Sequence, residues 1–244
     1  MPKANKFTLD EIKNWKPDHN DFSYGRTLII TEDYSKTVQR FSSNPDDPFS
    51  SENLLFCGLA YVILSLREKF NINKEQFHAI LNNDMGTTSA VLKNPEKLER
   101  ILSPYGLGKQ KFDSIHSAAT EWKALNLTER MRNDVNKRSG KKLRVEMVKK
   151  IHGVGFKFAS LWLRMCGYHN IAPPDAWGIK YCESRGYIFR RENSGPSFSQ
   201  SAEYEKILIR DAKKYDASPA LFQATIYARW STWRMDSGVD PQYR

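Results

Sequence analysis

Apolar residues recur along this chain at the three- and four-residue spacing of amphipathic helices, and turn-forming residues separate the periodic segments. The most apolar segment begins after Ser50 or Ser51, either of which can cap a helix, and continues to Leu66. One run, Thr27–Thr31, has the β-branched composition of a strand. Further helices are predicted at residues 8–16, 74–81, 88–92, 95–102, 109–125, 142–150, 156–166, 176–185, 202–215 and 219–235. The pattern therefore predicts an all-α protein.

A chain of 244 residues can bury one core or the cores of two closely joined subdomains. The stretch 42–48, SSNPDDP, is dense in turn residues and is typical of a linker. We expect residues 1–244 to form a single unit with two helical subdomains, one over residues 47–169 and the other from residues 1–46 and 170–244. Residues 184–201 are polar and punctuated by Gly and Pro, and we expect them to form a surface loop.

Composition excludes several classes of protein. No segment has the apolar length of a membrane span, and the N-terminus lacks the apolar region of a signal peptide. The three cysteines are widely spaced, which argues against a disulfide framework and against a zinc or iron–sulfur site, and the five histidines show no metal-ligand spacing. Since no coiled-coil or repeat pattern is present, we expect a soluble monomer of the cytoplasm and nucleoid, or of the nucleus in a eukaryote.

The charge of the chain points to a polyanionic partner. Lysine and arginine number 38 against 28 acidic residues, a formal net charge of +10. Residues 123–150 hold ten of these bases and three acids, so most of the excess lies in one stretch. Such a run is commonly a solvated face, but here it leads directly into a turn suited to anions, which favours contact with nucleic acid.

That turn is the glycine-containing hairpin 151–155, IHGVG, between two helical segments. Two glycines one residue apart permit a tight turn and a close approach of backbone N–H groups to a partner, and a turn at a helix N-terminus is an anion site. The residues predicted to contact a DNA backbone are Lys149, Lys150, His152, Gly153, Val154 and Gly155.

Lys157 lies at the start of the helix that follows the hairpin. Over residues 156–166 the charged residues are Lys157 and Arg164, and a helix that is apolar on nearly every face is a buried one. Desolvation and neighbouring positive charge would then favour a neutral, nucleophilic amine. The alternative is a lysine whose stem packs while its ammonium reaches water.

An aspartate follows Lys157 by 18 residues. Pro173 and Pro174 forbid helix and deliver the chain in extended form to Asp175, which is placed to cap the helix that begins at Ala176. Capping alone would explain this aspartate. One helix and one return loop separate it from Lys157, however, so the two side chains can converge at one cleft.

The segment GVGFKxA followed by this aspartate resembles the helix-hairpin-helix, Gly/Pro-rich loop and aspartate pattern of the DNA glycosylase superfamily. The lysine two residues after the second glycine resembles the bifunctional glycosylase/AP-lyase members. The resemblance implies two helical subdomains with a DNA-binding cleft between them and the hairpin at the cleft. It also implies that Lys157 is a Schiff-base nucleophile and that Asp175 is the catalytic carboxylate.

The same resemblance bears on cofactors. It implies a monovalent cation bound by backbone carbonyls of Ile151 and Gly153, and no other cofactor. Endonuclease III-like members carry a four-cysteine iron–sulfur loop, which this sequence lacks. Adenine-mismatch members generally lack a lysine at the position of Lys157.

A second, shorter match lies near the end of the chain. Gln223 and Tyr227 are four residues apart on one helix face, within LFQATIY. This segment resembles the late helix of oxoguanine DNA glycosylases, in which a glutamine reads the base edge and an aromatic residue stacks on the base. Tyr227 stands where phenylalanine is common. An aromatic stripe at this spacing is otherwise more typical of a core.

The prediction is therefore a base-excision repair enzyme that removes 8-oxoguanine from double-stranded DNA and cuts the strand by β-elimination. One alternative is a glycosylase for another damaged or mismatched base. The other is a non-catalytic DNA-binding protein that uses the hairpin only to hold phosphate.

Overall fold

The computed structural model of the chain describes residues 9–18, 21, 52–66, 70–134, 140–189 and 195–230, and these residues form helices and connecting turns with no strand among them. Two compact units are present. One comprises residues 33–168 and is called the hairpin unit; the other comprises residues 1–32 and 169–244 and is called the two-segment unit. The subdomain boundaries expected from the sequence were residues 46/47 and 169/170.

The hairpin unit contains eight described helices. In chain order, and numbered from α2 because helix α1 (Leu9–Asn14) belongs to the other unit, they are α2 (Glu52–Leu64), α3 (Phe70–Asn82), α4 (Thr88–Lys93), α5 (Pro95–Leu102), α6 (Gly108–Ala124), α7 (Leu127–Asn133), α8 (Gly140–Lys150) and α9 (Phe156–Met165). The two-segment unit contains α1 (Leu9–Asn14), α10 (Ala176–Ser184), α11 (Phe198–Lys213) and α12 (Pro219–Trp230) among its described residues.

Helix α2 lies at the centre of the hairpin unit because it is apolar on nearly every face, and it packs against α3, α6 and α9. Trp122 of α6 is buried and meets Phe56 of α2 edge to face, with ring centroids 5.5 Å apart. Trp162 of α9 donates its indole N–H to the Leu55 carbonyl at 3.0 Å. These contacts fix α9, the helix that follows the hairpin, against the core.

The core of the two-segment unit joins the first described helix to the last three. Trp15, just after α1, contacts Tyr181 of α10 and Trp230 of α12, with centroid distances of 6.3 and 5.9 Å. Arg185, just after α10, also links this helix to α1, since its guanidinium donates to the backbone carbonyls of Ile12 and Trp15 at 3.1 Å each. Helices α10, α11 and α12 therefore share one core, which positions the loop before α10.

The prediction of an all-α fold is confirmed, and the predicted helices agree with the observed ones to within a few residues in the described part of the chain. Helix α7 was not predicted because its seven residues lie within the charged run. Helix α11 begins earlier than expected, at Phe198, because Ser197 and Gln200 form a capping box. Thr27–Thr31 and the predicted linker at 42–48 lie outside the described residues.

The cysteines Cys57, Cys166 and Cys182 are buried. Burial raises the pKa of the Cys57 thiol to about 12, and it raises the pKa of Cys182 as well. Within the described ranges no group of three or more His, Cys, Asp or Glu side chains is arranged to hold a metal ion. None of the described helices is both long enough and apolar enough to cross a membrane.

Candidate active site

The hairpin joins α8 to α9 and is held from below by two apolar side chains. Ile151 and Val154 are each 2% exposed, whereas His152, Gly153 and Gly155 between and beside them are exposed. The Val154 N–H donates to the Ile151 carbonyl at 3.2 Å, which closes the turn. The hairpin therefore presents its glycines outward while its apolar residues anchor it.

The two glycines of the hairpin differ in backbone conformation and in the space around them. Gly153 has φ +74°, in the left-handed region, and a Cβ built on it would lie 1.9 Å from the Ser114 hydroxyl oxygen of α6. Gly155 has φ −83° and ψ −178°, which any residue can adopt, and a Cβ there would meet nothing within 4 Å. Gly153 is therefore required by the fold, while Gly155 keeps the start of α9 open.

Helix α6 supports the hairpin directly. The backbone N–H of His152 donates to the Ser117 hydroxyl at 2.9 Å, and Ser114 lies against Gly153. Two serines one helical turn apart thus hold the turn. Sequence reasoning missed both, because nothing in the sequence links a serine of α6 to a backbone amide 35 residues later. It follows that the His152 amide is already engaged within the protein.

Gly155 is the N-cap of α9 and has no side chain to accept hydrogen bonds from the first turn of the helix. The N-terminus of α9 therefore keeps the anion-attracting character of a helix end. Residues 148–155 line an open concavity at this point. Lys149 and Lys150 at the end of α8 are exposed and add positive charge. The hairpin and its surroundings are thus suited to a phosphate group.

The basic run is less uniform in the structure than in the sequence. Arg130 makes a two-pronged contact with Glu146 at 2.5 and 3.2 Å, which holds the pKa of the Glu146 carboxyl below its usual range. Arg144 is buried, donates to the Ser160 hydroxyl at 2.9 Å and lies over the Phe156 ring. These arginines brace helices, so the exposed charge of α8 is carried by its lysines, namely Lys141, Lys142, Lys149 and Lys150.

Lys157 is exposed, so the expectation of a buried amine is wrong for this structure. Helix α9 is buried at Phe156 and again at Phe158, but residue 157 points outward, with its ammonium 5.8 Å from the centre of the Phe158 ring. Lys157 thus has an exposed side chain whose nitrogen lies near an aromatic ring, which fits the alternative considered from the sequence better than a buried amine. The amine lies in the first turn of α9, beside the hairpin.

In the two-segment unit, Asp175 caps α10 as the sequence predicted. Its side chain is 7% exposed and one oxygen, Oδ1, accepts a hydrogen bond from the Gly178 N–H at 2.7 Å. The second oxygen, Oδ2, accepts from the side-chain amide of Gln223 at 2.8 Å. These two donors and the positive end of α10 all favour the ionised carboxylate.

The two candidate base-reading residues are in different surroundings. Gln223 is 1% exposed and contacts Asp175, whereas Tyr227, one turn later on α12, is half-buried. The structure therefore joins Gln223 to the predicted catalytic aspartate, a contact that sequence reasoning did not anticipate.

Glu205 of α11 is a further residue that sequence reasoning missed. It is 3% exposed, and its carboxylate accepts a hydrogen bond from the Ala172 N–H at 3.2 Å, just before the two prolines. A glutamate among the buried positions of α11, next to Tyr204 and three residues before Leu208, is the signal that could have revealed it. It anchors the loop that delivers Asp175.

The glycine hairpin between α8 and α9, in a chain whose described residues form helices and turns, is the helix-hairpin-helix arrangement and places the protein in that class. The sequence matches the family described as 8-oxoguanine DNA glycosylase over residues 35–217, which is more than half of the chain. The chain therefore belongs to the 8-oxoguanine DNA glycosylase family, and it is a DNA N-glycosylase. The resemblance inferred from the hairpin, the lysine and the aspartate is confirmed.

Solved structures show the same fold. The 8-oxoguanine DNA glycosylase of Thermotoga maritima is similar with a TM-score of 0.65 at 19% identity, covering 90% of this chain and 93% of that one. The 8-oxoguanine DNA glycosylase of Methanocaldococcus jannaschii gives 0.64 at 19% identity, covering 94% of each chain. The 8-oxoguanine glycosylase/lyase of that organism in complex with a 15mer DNA containing 8-oxoguanine gives 0.60 at 18% identity, covering 86% and 98%. A comparison with curated protein sequences gave no significant match.

The different requirements at the two hairpin glycines predict different effects of the same substitution. Gly153→Ala forces a left-handed conformation on alanine and drives its methyl group into Ser114, so we expect a loss of about 2–4 kcal/mol in the free energy of unfolding. Gly155→Ala should change this free energy by less than about 1 kcal/mol, since its backbone angles suit any residue. Urea unfolding of both variants measures the difference, and equal losses would contradict this account.

Proposed function

We propose that this enzyme removes 8-oxoguanine from double-stranded DNA and then cuts the strand through a Schiff base on Lys157. The observation that carries the proposal is the accessible amine of Lys157 in the first turn of α9, next to an anion-binding hairpin, in a chain of the 8-oxoguanine DNA glycosylase family. A nucleophile must reach the substrate, and an exposed amine can do so. We further propose that the enzyme acts as a monomer, in the nucleoid or the nucleus.

The hairpin would hold a DNA phosphate close to the lesion. The backbone N–H groups of Gly153 and Gly155, with the N-terminus of α9, are the donors, and Lys149 and Lys150 supply long-range attraction. His152 would contribute through its exposed side chain, because its backbone amide already donates to Ser117. Such contacts position the DNA without reading its sequence.

The backbone of the hairpin also suits a monovalent cation. The donors would be the carbonyl oxygens of Ile151 and Gly153, and backbone carbonyls are ligands that hard cations accept. The Ile151 carbonyl accepts one hydrogen bond, from Val154 at 3.2 Å, and a carbonyl oxygen has two lone pairs. A bound cation would supply positive charge beside the phosphate.

The chemistry requires the damaged nucleotide to leave the base stack so that its sugar can be reached. Lys157 Nζ forms a bond to C1′ as the bond from C1′ to the base breaks, and the base leaves with the bonding electron pair and takes up a proton. Asp175, ionised, stabilises the positive charge that develops on the sugar and helps to move protons. Opening of the sugar ring gives an imine between Lys157 and C1′. Loss of a proton from C2′ then expels the 3′ phosphate and cuts the strand.

The exposure of Lys157 adds one requirement to this mechanism. A lysine side chain attacks only as the neutral amine, and exclusion of water from the amine favours that form. Bound DNA would cover the hairpin surface and exclude that water. In this mechanism the bound DNA, and not the core of the hairpin unit, removes water from the Lys157 amine.

Reading of the oxidised base by Gln223 and stacking by Tyr227 stay predictions. A glycosylase for another damaged or mismatched base would share the hairpin, Lys157 and Asp175, and would differ in the residues that contact the base. Membership of an enzyme family weighs against the alternative of a non-catalytic DNA-binding protein.

Duplexes that each carry one lesion test the choice of base. We expect release of 8-oxoguanine to be at least about tenfold faster than release of uracil, thymine glycol or a mismatched thymine, because a site that hydrogen-bonds one base edge rejects bases that leave its groups unpaired. The measurement is single-turnover base release, with undamaged guanine in the same sequence as the control. Faster release of any other lesion would assign a different substrate.

Borohydride reduction tests the role of Lys157. The wild-type protein should form a stable covalent adduct with lesion-containing DNA, and Lys157→Gln should form none and lose strand cutting by at least about 10³-fold, since the nucleophile is gone. Lys180→Gln, which changes another exposed lysine, is the matched control and should trap normally. Undiminished trapping in Lys157→Gln would move the Schiff base to another amine.

Asp175→Asn tests the carboxylate. Asparagine is also a good N-cap, so α10 should keep its start and DNA affinity should stay within about threefold of wild type. Turnover should fall by about 10²–10⁴-fold, because a neutral amide cannot stabilise the developing positive charge. DNA binding and single-turnover rates measure the two effects separately. Normal turnover would remove Asp175 from the mechanism.

A further inference from the structure

We infer that Gln223 is a positioning residue for Asp175, which it holds in one orientation by a hydrogen bond to the carboxylate. The inference rests on the proposed function, in which Asp175 is the catalytic carboxylate. Its basis is the contact between Gln223 Nε2 and Asp175 Oδ2, 2.8 Å long, between two side chains that are 1% and 7% exposed.

The direction of this hydrogen bond follows from the chemistry of the two groups. An ionised carboxylate only accepts hydrogen bonds, so the NH₂ end of the Gln223 amide must face it. The Gly178 N–H holds Oδ1 at 2.7 Å, and Gln223 holds Oδ2 from another helix. One donor fixes one oxygen, whereas two donors on different oxygens also fix the plane of the carboxylate. Gln223 therefore sets the rotation of a group that the helix cap alone would leave adjustable.

Both partners are mounted on rigid backbone. Gln223 lies between Phe222 and Ala224, which are fully buried, and the Ala220 N–H of the same helix donates to the His169 carbonyl at 3.1 Å. On the other side, the Ala172 N–H is held by Glu205 at 3.2 Å, just before the prolines. A catalytic charge fixed in advance by its surroundings need not reorganise during the reaction.

Positioning of Asp175 differs from reading of the base, and the two roles predict different effects on the reaction steps when Gln223 is replaced. A base reader acts only while a base is present, so its loss spares any step that begins after base release. A residue that positions Asp175 acts in every step that uses the carboxylate. Its loss should therefore slow both base removal and the cutting of DNA that already contains an abasic site, with little change in DNA affinity.

The test compares Gln223→Met with the wild-type enzyme. Methionine keeps the length of the side chain but donates no hydrogen bond. Both proteins are assayed on two duplexes, one with 8-oxoguanine and one with a preformed abasic site. We expect single-turnover rates on both to fall by a similar factor of about 10–100, since hydrogen bonds to charged groups are worth this much. The dissociation constant for DNA should stay within about threefold. Thr225→Val, which removes another buried polar group from α12, is the control and should leave both rates unchanged.

Loss on the 8-oxoguanine duplex alone would overturn the inference and make Gln223 a base reader. Unchanged rates on both duplexes would overturn it as well. In an Asp175→Asn background, Gln223→Met should have less than about a twofold further effect, because the carboxylate it positions is absent. If Asp175→Asn is fully active, the proposed function fails. If Asp175→Asn is inactive and Gln223→Met is normal, only the positioning role fails.

Gln223→Glu gives a readout that a purely structural role would not produce. While protonated, the introduced carboxyl can donate a hydrogen bond to Asp175 and replace the amide; once ionised, it repels the aspartate. We therefore expect the rate relative to wild type, compared at each pH, to fall as the pH rises from about 5 to about 8. A ratio that does not change with pH would contradict the inference, including in the event that Gln223→Met fails to fold.

Discussion

The hydrogen bonds that hold the Asp175 carboxylate at the start of α10 are the interaction on which the proposed mechanism depends. Asp175 is buried, and burial of a negative charge costs free energy unless hydrogen-bond donors compensate for the lost water. The Gly178 amide, the end of α10 and the Gln223 side chain provide that compensation. The two prolines before Asp175 and the hydrogen bond from the Ala172 N–H to Glu205 also position the carboxylate, because they fix the backbone from which it projects. The side chain that caps α10 is thus the same one that the proposed mechanism uses as the catalytic carboxylate.

The hairpin unit has a different feature, an exposed backbone turn that is suited to a phosphate group. The apolar residues of this turn are buried and its glycines are exposed, and Ser114 of α6 leaves no space for a Cβ at Gly153. Gly155 leaves the helix end uncovered. Arg130 and Arg144 contact neighbouring helices, while the exposed lysines of α8 provide charge that faces solvent. Closely packed backbone and exposed charge therefore lie within one short stretch of chain.

Most of the fold was predictable because helical periodicity and capping residues are local signals. The Asp175 cap is an example, since the prolines and the helix that follows are adjacent in sequence. The orientation of Lys157 was not predictable, because α9 is so apolar that its pattern does not show which face is exposed; residues 157 and 161, four apart, are its less buried positions. The surroundings of Gln223 were hidden for the same reason, as α12 is buried on most sides. Contacts such as Ser117 with His152 depend on tertiary packing alone.

The order of the units along the chain also affects how the protein is made. The hairpin unit is continuous, over residues 33–168, whereas the other unit draws on both the beginning and the end of the chain. During synthesis from the N-terminus, the hairpin unit can therefore fold as soon as it leaves the ribosome. Helix α1 has to wait for α10, α11 and α12 before it finds its core. The surface suited to phosphate would thus be complete while the aspartate still lacked its glutamine partner, so a nascent chain could grip nucleic acid before it could act on it.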